Sequence, residues 1–189
     1  RGYVGEGIYK PKVNGVDTRE YICWSGIFWR CYDERKLIRN PTYLGCGISE
    51  EWCNFQNFCQ WYCNRPQYDL KWQLDKDLLV PGNKVYSENT CCLLPQEINT
   101  FLADKPAKED GLPPGVHWGS KEKKYKAQIN DRFAKNQRLL GISDNPEELF
   151  YKYKEAKENQ ALYLADKWKE LLDVDAYEKL KQYTVEWRK

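Results

Sequence analysis

Five residues between positions 75 and 99 have the types and spacing that hydrolytic chemistry can use: Asp75, Lys76, Asp77, Asn89 and Asn99. A carboxylate on a strand and an amide oxygen on a following helix can hold one divalent cation such as Mg. The cation would stabilise charge developing on a phosphodiester oxygen, while a base beside the carboxylate takes a proton from water. On this reading Asp75 and Asn99 are the metal ligands, and Asn89 braces the loop leading into the second strand. A plainer reading stands beside it. There, Asp75 and Asp77 are solvated carboxylates at a strand end, and Asn99 hydrogen-bonds within its own helix.

Positioning such a set requires a strand, a long loop, a second strand and a helix. Residues 72–80 read as the first strand. Pro81-Gly82-Asn83 is a turn, because proline presets one dihedral and Gly or Asn accepts a positive φ. Residues 84–86 continue extended, residues 91–94 form a second short strand, and Pro95 suits the first position of a helix through Ile98 and Phe101. Upstream, Asp17 or Thr18 can cap a helix from Arg19, with Tyr21, Trp24, Ile27, Phe28, Cys31 and Tyr32 at helical spacing, and Asn40-Pro41 ends that element. Ser49 then caps a helix with Glu50 and Glu51 in its first turn, and Trp52, Phe55, Phe58, Cys59 and Tyr62 line one face. These aromatic stripes predict core rather than a binding surface.

The second half differs. Residues 104–114 are a Pro- and Gly-containing linker between a first module over 1–103 and a second over 115–189. Three short strands are predicted around Val116–Trp118, Tyr125–Ile129 and Arg138–Gly141. A helix follows, with Asp144 or Asn145 as cap and Pro146 at its first position. Between Trp118 and Arg138 stand Lys121, Lys123, Lys124, Lys126, Arg132, Lys135 and Arg138 against only Glu122 and Asp131. Period-2 alternation sends Tyr125, Ala127 and Ile129 to the helix side and Lys124, Lys126 and Gln128 to the other. A small sheet of this kind can enter a major groove, where Lys or Arg reads guanine, Gln reads adenine and other lysines hold phosphates. Those seven cations and Gln128 are the candidate DNA-binding residues; a solvated charged hairpin is the alternative. From Phe150 onward nine Lys and Arg meet eight Asp and Glu, which suits packing or oligomerising helices better than a DNA clamp.

Composition sets limits on these readings. The 189 residues carry 30 Lys and Arg against 28 Asp and Glu, so a globally basic, histone-like protein is excluded. With eight Trp and fourteen Tyr there is ample core material, and disorder of the whole chain is excluded. No run approaches the roughly 20 apolar residues of a membrane span, and RGYVGEGIYKPK shows no secretory signal. All eight cysteines lie in the first half with no C-x-x-C among them, so reduced core thiols are expected. Disulfides remain an alternative, as does a structural zinc site at Cys59 and Cys63, which the spacing does not favour. The single histidine, His117, reads as a surface or interface residue.

Residues 21–102 resemble the HNH-like (ββα-metal) endonucleases and DNA-binding proteins frequent in bacteriophages. The motifs that carry the likeness are W-x5-R-C-Y-D from Trp24, N-P-T-Y from Asn40, E-E-W-x-N-F-x-N-F from Glu50, L-D-K-D from Leu74, G-N-K-V-Y-S from Gly82 and L-P-Q-E-I-N from Leu94. Residues 112–157 are similar to the ethylene-response-factor (APETALA-type) DNA-binding domain, through L-P-x-G-V from Leu112, Y-x-A-x-I from Tyr125, and L-G followed by an acidic helix start. The resemblance implies an α+β protein with N-terminal helices around a ββα-metal module. A three-stranded sheet with a helix and C-terminal helices would follow. It implies double-stranded DNA as partner, no membrane, metal-assisted phosphodiester cleavage with Mg or another divalent ion, and the cytoplasm of a bacterial host. One departure bears on activity: Lys76 occupies the position of the family's general-base histidine. A lysine is mostly protonated at neutral pH. The residues thus allow an active or slow nuclease using Lys76, or an inactive DNA-binding protein that keeps the fold. A protein-interaction factor acting on a host enzyme is a third reading.

Overall fold

The computed structural model describes residues 2–103, 111–131 and 136–187. The chain is mixed α and β and divides into two units. The first comprises residues 1–102 and Leu171–Ala176; the second comprises Ala103–Glu170 and Tyr177–Lys189. No described helix is long and apolar enough to cross a membrane.

The first unit begins with a hairpin of β1 (Lys12–Val13) and β2 (Val16–Asp17), followed by α1 (Arg19–Tyr32). Thr18 caps α1 by accepting from the Tyr21 N–H at 3.3 Å. The predicted continuous element up to Asn40 breaks at Asp33. That side chain accepts from the Lys36 N–H at 2.8 Å and starts a separate helix, α2 (Glu34–Arg39). A cap inside an apolar pattern thus overrides the pattern, because four orphan N–H groups need an acceptor.

The next helix likewise starts later than expected. Ser49 Oγ accepts from Trp52 N at 3.4 Å beside a 3-10 turn, Glu51–Cys53, which follows the short β3 (Gly47–Ile48). Asn54 then caps α3 (Phe55–Cys63), accepting from Gln56 N at 2.9 Å. The N-terminal segment lies along this junction, with Tyr3 N donating to Cys53 O at 2.9 Å and Phe55 N to Tyr3 O at 3.0 Å. Trp52, Phe55, Phe58 and Ile27 are essentially fully buried and form the core between α1 and α3. Edge-on ring contacts order it: Trp52 with Phe58 at 5.1 Å and Trp24 with Phe55 at 5.4 Å.

The predicted strand over 72–80 is only three residues long, β4 (Gln73–Asp75). It pairs antiparallel with β6 (Cys92–Leu94), Asp75 opposite Cys92, and α4 (Gln96–Leu102) follows. Between them, β5 (Val85–Tyr86) pairs in parallel with β3. Residues 76–84 are irregular because their polar groups are satisfied by side chains instead of a ladder. Asn83 Nδ2 donates to Lys76 O at 3.0 Å and Val85 O at 2.7 Å, while its Oδ1 accepts from Val85 N at 3.0 Å. Gly82, at φ +75°, turns the chain where a side chain would be strained. Gln67 Nε2 holds the returning segment Leu171–Ala176 by donating to Leu171 O at 2.7 Å and Asp173 Oδ1 at 3.2 Å.

The second unit is a three-stranded antiparallel sheet of β7 (Val116–Gly119), β8 (Lys124–Asp131) and β9 (Asn136–Ser143) in sequence order. It is covered by α5 (Pro146–Trp168), capped by Asn145, whose side chain accepts from Glu147 N at 2.9 Å. Val116, Ala127, Leu149 and Phe150 form the buried core, with Tyr125, Leu140, Val185 and Trp187 packed against it. Gly115 has φ +75°, and a Cβ there would lie 2.0 Å from the Tyr153 ring, so only glycine lets the strand approach α5. The last helix is α6 (Val174–Lys181).

Candidate functional site

The ββα order of β4, β6 and α4 puts Asp75 on the first strand and Asn99 on the helix. Their side chains are turned to local tasks. Asp75 Oδ1 accepts from Asp77 N at 3.0 Å and Leu78 N at 2.8 Å, so this carboxylate caps the turn leaving β4. Burial pushes its carboxyl above the usual carboxylate range, against the pull of those two N–H groups. Asn99 Nδ2 donates to Gln73 Oε1 at 2.9 Å, fastening α4 to β4. Asn89 sits exposed in the turn before β6, a turn closed by Thr90 Oγ1 donating to Val85 O at 2.7 Å and by Cys91 N donating to Ser87 O at 3.0 Å.

Lys76 points inward and is 6% exposed. Its ammonium donates to Asp77 Oδ1 at 2.5 Å and Asn83 O at 2.9 Å, and lies 5.9 Å from the centre of the Tyr86 ring. Both contacts are local: they tie the side chain to the residue after it and to the turn at Asn83, as a loop-holding group is tied. Among the described residues no three His, Cys, Asp or Glu side chains converge as a metal-holding group. Asp75 Oδ1 is committed to its turn and Asn99 Nδ2 to Gln73, so Asp75 Oδ2 and Asn99 Oδ1 are the atoms of the expected pair that would have to hold an ion. A recess of about 520 Å³ in this unit is lined by Glu51, Asn57, Gln60, Trp61, Arg65 and Glu88 among others, and by none of Asp75, Lys76, Asn89 or Asn99.

All eight cysteines are free thiols. Burial raises the Cys23, Cys31 and Cys63 thiols to about 11 and Cys91 to about 12, so these are poorly nucleophilic groups.

The second unit presents a different surface. In register, Val116 faces Ala127 and Trp118 faces Tyr125, on the side covered by α5. His117 faces Lys126 and Gly119 faces Lys124, on the side away from it. Lys124, Lys126 and Gln128 therefore share the open face of the sheet, as their alternation predicts. Both lysines have carboxylate neighbours at the sheet's margins: Lys124 to Asp144 at 2.8 Å and Lys126 to Glu122 at 2.6 Å. Lys121 and Lys123 are exposed in the β7–β8 turn, and Lys123 has a positive φ of 51°. Arg132 and Lys135 lie outside the described residues.

Arg138 departs from the expected group. The β8–β9 register shifts between Ala127 and Gln128, so Leu140 is an extra residue on β9. Past that bulge Arg138 stands opposite Ile129, on the helix side, and its Nε bonds the buried Asp131 carboxylate at 2.9 Å. The same shift brings Leu139 opposite Gln128 on the open face, and Ile142 stands opposite Lys126. Leu139 and Ile142 are 49% and 43% exposed. Sequence reasoning missed both. The alternation of β9 alone does not show where a bulge inverts its faces.

No protein-family model, curated protein or solved structure matches this chain.

Proposed function

We propose that this chain binds double-stranded DNA through the open face of the β7–β8–β9 sheet, and that its ββα unit serves as a scaffold. The observation that carries this reading is a three-stranded sheet with α5 packed on one side and Lys124, Lys126 and Gln128 together on the other. Two strand spacings make the sheet about 10 Å wide, within a major groove about 12 Å wide. Charge supports it too. The second unit's sequence holds 18 Lys and Arg against 14 Asp and Glu, whereas residues 1–102 hold 12 of each. The two ion pairs on the face do not block the reading. Exposed pairs contribute about 0–1 kcal/mol, and a phosphate can take over such a lysine.

The test is a duplex-binding titration across salt concentrations, with Lys124→Ala/Lys126→Ala beside the wild type. If both lysines meet phosphates, the slope of log affinity against log salt falls by about 1.8 in the double variant. Replacing Arg35 and Arg39 of the first unit, which are also exposed, leaves it unchanged. Absence of duplex binding at low salt would overturn the reading.

A second reading, metal-assisted phosphodiester cleavage, is favoured by one observation: the β4–β6–α4 order with Asp75 on the strand and Asn99 on the helix. Plasmid nicking in Mg or Mn by the wild type, lost in Asp75→Ala, would establish it. No nicking by the wild type or by Lys76→His, alongside firm DNA binding, leaves the scaffold role.

A further inference from the structure

Gln128 and Leu139 stand directly opposite each other on the open face of the sheet, so their Cβ atoms are about 4.5–5.5 Å apart. One is a carboxamide and the other a half-exposed aliphatic side chain. In the major groove an adenine offers N7 and N6–H to a carboxamide, and its thymine partner offers a C5-methyl group to an apolar side chain. A cross-strand carboxamide–aliphatic pair carries both halves of that recognition side by side. From this juxtaposition, and resting on the DNA-binding reading above, we infer that the face selects A·T base pairs, with Gln128 on adenine and Leu139 on the thymine methyl.

The rest of the face agrees. Asn130 and Gln137 form a second cross-strand pair, this time of two carboxamides, and Ile142 adds an exposed aliphatic beside Lys126. The guanidinium best suited to guanine O6 and N7, Arg138, is turned to the helix side and bonded to Asp131. Glutamine and aliphatic groups are thus presented on a face from which the one guanidinium of the described β8–β9 pair is turned away.

The bulge gives the inference its structural cause. Were Leu140 paired regularly with Gln128 instead of bulged, Leu139 would stand opposite Ile129 and fall on the helix side. Leu140 instead packs against the core beneath the sheet, and the bulge leaves Leu139 in solvent. An aliphatic side chain delivered outward beside a glutamine suits the edge of an A·T pair.

The experiment compares three duplexes of equal length at one salt concentration: an A·T-rich duplex, a G·C-rich duplex, and the A·T-rich duplex with deoxyuridine replacing every thymidine. Deoxyuridine keeps the hydrogen-bonding edge and lacks only the methyl. The wild type should prefer the A·T-rich over the G·C-rich duplex by about tenfold or more, as one well-made base contact provides. Deoxyuridine should weaken binding severalfold for the wild type and leave Leu139→Ala unaffected. Gln128→Ala should lose affinity for the A·T-rich duplex while keeping its affinity for the G·C-rich one. Equal affinity for all three, or preference for G·C, would overturn this inference and leave duplex binding standing. Failure to bind any duplex would overturn the DNA-binding reading itself. If Leu139→Ala changes the oligomeric mass in solution and not DNA affinity, the aliphatic pair is a contact between copies and the inference falls. The deoxyuridine comparison on the wild type needs no variant, and so survives a folding defect in either substitution.

Discussion

In the first unit no described strand exceeds three residues, whereas in the second two strands have eight each. The first unit buries Trp24, Trp52, Phe55, Phe58, Tyr62 and Phe101 among its aromatic side chains, while Tyr3, Trp29 and Tyr32 stay exposed. Its loops are closed by side chains bonding backbone: Asn83, Asp75, Gln56 and Gln67 each satisfy two or more groups. The second unit satisfies its backbone by a regular ladder and needs only a small apolar cluster under the sheet. The difference bears on function. Where side chains are committed to holding loops, as at Asp75 and Lys76, few remain for chemistry. Where the ladder holds the backbone, the side chains of the sheet are left free of that task.

The largest effects should come from breaking each core separately. Phe58→Ala removes a fully buried ring and should cost the first unit about 3–5 kcal/mol, and Leu149→Ala should cost the second about 2–5 kcal/mol. Hydrogen exchange followed by mass spectrometry reads where protection is lost. Phe58→Ala should deprotect α1 and α3 while β8 and α5 keep their protection, and the proposed duplex affinity should persist. Loss of protection in both units by either substitution would show that they unfold as one, and the comparison above would lose its basis.

How far the sequence was legible follows the same division. Tyr125, Ala127 and Ile129 alternate cleanly, and the strand they announce has the predicted faces because a ladder enforces period two. The Thr18 and Asn145 caps were readable because a cap is a local bond. Arg138 was not readable, since a single inserted residue inverts every side chain beyond it. The predicted strand over 72–80 failed because its composition is right for extended chain, yet Asp75 and Asn83 offer the backbone nearer partners than a second strand. Lys76 was legible as an oddity in its motif. Its inward direction was not, because only the fold supplies Asn83 O and the Tyr86 ring.

A smaller effect should separate a structural Lys76 from a chemical one. Removing the ammonium in Lys76→Ala leaves the Asn83 carbonyl without its donor, and should cost about 1–3 kcal/mol in denaturant melts. Duplex affinity should stay unchanged, since the sheet of the second unit is untouched. An unaltered midpoint would mean that the buried cation contributes nothing to the loop, and the contrast drawn between the two units would weaken at its clearest residue.

The smallest effect is a dependence on pH at Asp75. Its carboxyl is held above the usual range chiefly by burial, with the Leu78 and Asp77 N–H groups pulling the other way. The folded state therefore binds this proton more tightly than the unfolded chain does. Stability from the group is fully present below the ordinary carboxylate value, and is lost as pH rises through the higher folded-state value. Asp75→Asn keeps an oxygen for the two N–H groups and carries no charge, so its stability has no such dependence at this site. The difference between wild type and Asp75→Asn isolates the group from every other carboxylate. Denaturant melts between about pH 3 and 7 should show the wild type losing ground to the variant as pH rises, with a plateau once Asp75 is ionised. The opposite slope would mean that something in the folded protein prefers the carboxylate. The Leu78 and Asp77 N–H groups would then outweigh burial at this carboxyl, and the turn leaving β4 would be held by the ionised form.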